Sequence, residues 1–301
     1  MYRHIEVFDF TKGARLPKAP SPFLIDGLVH RSMTVMHGQT TAGKSTLALS
    51  LAVAVASGAK DWNGRPLTDT GPVAYIGGDP GAKYETVERL QRAESDLGAG
   101  SIRVVIPERP TRREAWQEIG LASDGCALLI LDNLTQFVPG SLNDDGAVRA
   151  VFEELTALTA PGMAVLLLAH TSDKRGPNGE VSDKPAGSFS IRSIPRWFVA
   201  LERRTGYLRA RMSGNDALPW EVKLSEPNGV PRFDLLETTS AEDIEKAAHQ
   251  RSKETKDRNA RIWELHQAGK GVPEIMEETG LGQSSVYRAI SIMRKANEKA
   301  A

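Results

Sequence analysis

The 301-residue sequence contains one cysteine, Cys126. A single thiol closes no disulfide and cannot build a cysteine-rich zinc site, so disulfide-stapled and zinc-ribbon folds are excluded. Its place beside the apolar run 127–131 predicts a small buried thiol and not a reactive one. No hydrophobic run reaches the length that a bilayer demands. The first ten residues also lack the apolar segment of a secretion signal. A cytoplasmic protein with no membrane partner is therefore expected. Excess charge is missing as well: Lys plus Arg and Asp plus Glu number 38 each. Any attraction to nucleic acid has to come from local patches, because the bulk charge supplies none. There is no internal repeat, and the length fits one substantial domain with a smaller one beside it.

What is present is a phosphate-binding loop. Residues Gly38, Gln39, Thr40, Thr41, Ala42, Gly43, Lys44, Ser45 and Thr46 match the pattern Gly-x-x-x-x-Gly-Lys-Ser/Thr. An apolar strand (32–36) precedes them and a buried helix (46–55) follows, the context the pattern requires. Glycines let the backbone close around phosphates, and the loop's N–H groups point inward at negative charge. Lys44 adds a cation for the β and γ phosphates. Ser45 is placed to coordinate Mg²⁺, and the helix it opens directs its positive dipole end at the same anion. Binding of a nucleoside triphosphate follows.

From about residue 26 to 237, short apolar strands alternate with amphipathic segments. That is the pattern of an α/β domain with a mostly parallel sheet flanked by helices. Strands are expected at 32–36, 73–76, 103–106, 127–131 and 164–168. Three more, at 197–202, 207–212 and 220–224, are separated by short turns and are expected to extend the sheet as antiparallel strands. Residues 1–25, with Pro17, Pro20 and Pro22, are expected as an N-terminal arm. Two polar loops, 138–145 and 171–186, leave the carboxyl ends of strands, where this architecture holds ligands. The charged stretch 238–259 reads as a linker or a solvated helix. A small all-α domain then fills 260–301, with helices at 260–268, 272–279 and 283–295.

A hydrolysing site needs an acid to anchor Mg²⁺ and a second to orient water. Asp132 ends an apolar strand that a parallel sheet sets beside the loop, and it is assigned to the metal or its water shell; capping the next segment is the plainer role open to it. Asn133 follows, so the second acid must come from another strand. Asp79 in Tyr75-Ile76-Gly77-Gly78-Asp79-Pro80 is the candidate.

With these features the chain resembles the RepA-type hexameric replicative helicase ATPases, a subgroup of the RecA-like P-loop fold. The resemblance rests on 38–46, on Tyr75 to Pro80 with Arg89-Leu90 after it, and on Leu129-Ile130-Leu131-Asp132. It extends through Leu168-Ala169-His170-Thr171, Ala186-Gly187-Ser188 and Leu208-Arg209-Ala210-Arg211. It implies a catalytic base at Asp79, where the family carries Glu. An aspartate's carboxylate stands one methylene nearer the backbone, about 1.5 Å short, and a structural role as a helix cap stays open for it. The resemblance also implies a γ-phosphate sensor at His170. It implies a basic residue reaching a neighbour's site, Arg211 or second Arg209, within a homo-oligomer that is a hexamer. Lys174, Arg175 and Lys184 would grip single-stranded DNA in a central channel.

The C-terminal segment 272–294 resembles a helix-turn-helix. Ile275 and Met276 would face Val286, Ile290 and Met293 across the turn at Gly280. Gln283, Ser284, Ser285, Tyr287 and Arg288 would face outward at the start of a recognition helix, where base edges and phosphates are met. Residues 251–301 carry ten basic and seven acidic side chains, a modest net +3, and Glu274, Glu277 and Glu278 oppose DNA approach. A helical bundle that contacts protein is the competing reading of this region. The function expected is an ATP-hydrolysing, DNA-dependent motor or helicase. The alternative is a slow ATP switch that recruits the protein to duplex DNA.

Overall fold

Apolar runs such as 128–131 and 164–169 are continuous because both faces of the sheet they enter are covered. The computed structural model describes residues 21–79, 81, 83–159, 162–171, 184–225 and 231–300. Lys174, Arg175 and residues 1–20 of the expected arm lie outside them. The chain divides into two compact units, 1–238 and 239–301.

In the first unit the strands are β1 (Phe23–Ile25), β2 (Val29–His30), β3 (Met33–Gly38), β4 (Asp61–Trp62), β5 (Arg65–Pro66), β6 (Val73–Gly77) and β7 (Ile102–Val105). They continue as β8 (Leu128–Asp132), β9 (Ala164–His170), β10 (Trp197–Arg204), β11 (Tyr207–Gly214), β12 (Trp220–Leu224) and β13 (Leu235–Thr239). Nine of the described strands form one sheet in the order β13-β12-β11-β10-β3-β9-β8-β6-β7. From β10 through β7 the neighbours run parallel. β11 and β12 pair antiparallel beyond β10.

Successive residues of the central strands point to opposite faces. Met36, Tyr75, Leu128, Ile130, Leu166 and Leu168 pack on one side with the helix Lys44–Ala56. Val35, Ala74, Ile76, Leu129, Leu131, Val165 and Leu167 pack on the other with Trp116, Ile119, Phe152 and Leu155. The helix Lys44–Ala56 is buried nearly all round, because Phe23, Leu24, Ile25 and Trp62 belong to the same core as its apolar residues. Its lack of a polar stripe therefore matches its place.

Three expectations change. The strand at 197–202 runs parallel to β3, with Leu201 opposite Gly38, so the antiparallel extension begins one strand later. Residues 23–25, expected in an arm, form β1 and are buried, because their apolar side chains complete the core over the Lys44–Ala56 helix. The stretch 238–259, left open between a linker and a solvated helix, is helical from Ala241, and the separate helix expected at 260–268 is its continuation, as one helix, Ala241–Gln267. Ser240 caps it by accepting the N–H of Asp243 at 3.2 Å. Pairs such as Glu242–Lys246 at 2.7 Å then support its solvated first half.

In the second unit, Ala241–Gln267, Val272–Thr279 and Gln283–Ala300 are the three helices. Ile262, Leu265, Ile275, Val286, Ala289 and Ile290 make their core. The turn between the second and third is entered at Gly280 in the left-handed region, φ +66°. Among the described residues no helix is long and apolar enough to cross a membrane.

Candidate active site

The parallel strands end at one edge of the sheet, and the loop 38–44 leaves β3 there. Gly38 is a close approach: a Cβ on it would lie 2.7 Å from the Leu201 carbonyl oxygen of β10. Gly43 is a conformational requirement, with φ +88° at the residue that starts the helix. Lys44 is buried at the first helical position, and its Nζ donates to the carbonyls of Gly38 at 3.0 Å and Gln39 at 2.8 Å. Burial lowers its pKa, and the Asp132 carboxylate partly opposes that shift.

Asp132 ends β8 opposite Gly77 of β6. The short helix after it is capped by Asn133, whose side chain accepts the N–H of Thr135 at 3.1 Å. Capping therefore falls to the neighbour, and the Asp132 carboxylate faces the cleft instead. It accepts a hydrogen bond from the hydroxyl of Tyr75. That phenol is fully buried, and burial first, then the Asp132 charge, holds its pKa well above the usual tyrosine range.

These groups line a cleft of about 510 Å³, within the range of small-molecule sites. Of the residues expected in the site, Thr40, Thr41, Gly43, Lys44, Ser45, Thr46, Asp79, Asp132 and His170 are brought together in its wall. Gly38, Gln39 and Ala42 belong to the loop but do not line the cleft. His170 ends β9 directly opposite Gly38. Asp79 is exposed, and its Oδ1 accepts the N–H of Gly81 at 2.9 Å.

Arg211 lies in β11 opposite Ala200 and Glu221, away from the cleft of its own chain. Arg209 is engaged within the sheet, 2.6 Å from Glu221 and 3.7 Å from Glu202. The bond to Glu221 pushes its already high pKa further up. Lys184 is exposed and does not line the cleft.

Several lining residues were not expected. Glu85 and Arg89, an i,i+4 ion pair on the helix Lys83–Arg92, face the cleft, as do Thr86 and the apolar Val104 and Ile106. Arg203 reaches it from the end of β10. The signal for Arg203 was its place at the carboxyl end of a strand. Taking that strand as antiparallel put its end at the wrong edge of the sheet.

An AAA domain family model matches residues 5–176, more than half of the chain. The chain belongs to the AAA domain family. No curated protein matches it. Among solved structures, a KaiC-like protein from the hyperthermophilic archaeon Pyrococcus horikoshii OT3 is 14% identical, with 74% of this chain and 100% of that chain covered and a TM-score of 0.44. The RecA-like P-loop architecture is carried by this AAA domain's own strand order, loop and cleft.

The AAA domain binds ATP, and its donor set fits Mg²⁺. Among the described residues no group of three His, Cys, Asp or Glu forms a metal cage. Mg²⁺ commonly takes one or two protein oxygens and completes its shell with water and phosphate. Ser45 and Asp132 are the two oxygens that would hold it.

In the C-terminal unit, Gln283, Ser284, Ser285, Tyr287 and Arg288 are all exposed, while Val286, Ala289 and Ile290 between them are buried. Met276 and Met293 are half-buried. One face of the third helix is thus polar and open.

Proposed function

We propose that this AAA ATPase hydrolyses ATP with Mg²⁺ and acts on DNA as a RepA-like, hexameric, single-strand-dependent motor or helicase. The observation that carries the hydrolytic part is the convergence of Lys44, Ser45, Asp132, Asp79 and His170 on one cleft. Lys44 and the loop N–H groups offset phosphate charge, and Ser45 and Asp132 hold the metal. Held there, Mg²⁺ would supply positive charge to offset the charge developing on the phosphates. Asp79 orients the attacking water, His170 reads the γ-phosphate, and Arg211 of a neighbouring subunit stabilises charge in the transition state. The DNA part is supported by the exposed polar face at 283–288. Lys184, with Lys174 and Arg175, would contact the single strand.

A second reading, a slow ATP switch that brings the protein to duplex DNA, is favoured by one observation. An oxygen of Asp79 already accepts the Gly81 N–H, the bond a turn-forming residue makes. Fluorescent-ATP titration and anisotropy with single-stranded and duplex oligonucleotides separate the two. The motor binds single strands without sequence preference. The switch shows a sharp duplex preference, and absence of nucleotide binding refutes both.

A further inference from the structure

Tyr75 touches one of the two groups that would hold the cation. Its side chain is 1% exposed, on the strand next to the edge strand β7, and it forms part of the cleft wall. It donates to Oδ2 of Asp132. A phenol has one proton, and an ionised carboxylate can only accept. The direction of the bond is therefore fixed, with the phenol's proton on the side of Asp132 Oδ2.

This direction matters for metal binding. The hydrogen bond fixes the rotation of the Asp132 carboxylate and leaves its second oxygen for the ion's water shell. We infer that Tyr75 is a positioning residue for the divalent cation, orienting Asp132 before the ion arrives. The inference rests on the proposed use of this cleft for a metal–nucleotide complex. Partners of this kind behind a metal ligand typically change metal affinity about 10–100-fold when removed.

The test is Tyr75→Phe, which keeps the ring and its packing and removes the hydroxyl alone; Asp132, half-buried, can take water in its place. Mn²⁺ binding to the complex with a non-hydrolysable ATP analogue is followed by the electron paramagnetic resonance of free Mn²⁺. Nucleotide binding in EDTA is measured in parallel, with a melting curve to verify the fold. The expected result is an Mn²⁺ dissociation constant raised about 10–100-fold, with metal-free nucleotide affinity unchanged. In an Asp132→Ala background the same substitution should have a much smaller effect, since the carboxylate through which Tyr75 acts is already gone. Unchanged or tighter Mn²⁺ binding by the folded variant overturns the inference, the tighter case meaning that the phenol competes with the ion. Equal losses with and without metal overturn it too, because they report packing alone. If the unsubstituted protein shows no metal-dependent nucleotide binding, the function proposed for the cleft fails, a result distinct from failure of the Tyr75 role.

Discussion

Replacing Gly43 by alanine isolates the conformational demand of the phosphate-binding loop. Its φ of +88° and ψ of 13° lie in the left-handed region, which costs an L-residue about 1–2 kcal/mol. Space is not the obstacle: an added Cβ would meet Leu208 Cδ2 at 3.7 Å and Arg203 Nη2 at 4.0 Å, ordinary contacts. The cost therefore appears in one of two places. If the loop keeps its shape, the strain lowers stability, and for a unit of this size each kcal/mol shifts the melting temperature by roughly 2–4 °C. If the peptide rotates to escape, the N–H groups turn away from the phosphates and ATP affinity falls by roughly 5–30-fold, the equivalent of the same energy. Melting without nucleotide and titration with a fluorescent ATP analogue read the two shares, which should sum to about 1–2 kcal/mol. Gly38→Ala should behave differently, because its Cβ would stand 2.7 Å from a backbone oxygen of β10 and the strand pairing itself must shift. A Gly43→Ala protein unchanged in both melting and affinity would refute the reasoning.

Other expectations follow from the same geometry. Arg203→Ala should weaken ATP binding about tenfold, the low end for a charge-assisted contact; equal affinity in a calorimetric titration would remove Arg203 from the site. Arg211→Ala should cut hydrolysis roughly 10³-fold, as expected for a residue acting on a neighbour's transition state, with nucleotide binding preserved; an unchanged rate would exclude that role. Ile275→Ala should destabilise the C-terminal unit by about 2–4 kcal/mol, because a fully buried side chain leaves a cavity, and chemical denaturation followed by circular dichroism reports it. Burial pushes the Cys126 thiol above its usual pKa, so iodoacetamide should modify it slowly until the protein is denatured; fast alkylation of native protein would contradict its packing.

The phosphate-binding loop and the strand ends at Asp132, Asp79 and His170 were legible because each is a local pattern, an apolar run closing on a polar residue at one edge of a sheet. The direction of β10 was not, since a short connection to the next strand says nothing about the strand before it, and Arg203 was lost with it. Tyr75 stood in the sequence as the first residue of the Tyr75–Pro80 motif, with no role of its own. Its importance comes from meeting Asp132, which arrives from another strand. The helix from Ala241 has no apolar stripe in its first half, so periodicity left linker and solvated helix both open; capping and i,i+4 pairs hold it. In the C-terminal unit the alternation of exposed and buried residues at 283–290 could be read directly, because helical spacing alone sets which side chains face its core.

The central claim is that this cleft turns over ATP in response to DNA. Phosphate release by the purified protein should be measured with and without single-stranded DNA, beside a Lys44→Ala control. The account predicts hydrolysis that DNA stimulates strongly and that the control abolishes. ATP bound but hydrolysed at the same negligible rate in both conditions would contradict the motor and leave the switch as the surviving reading.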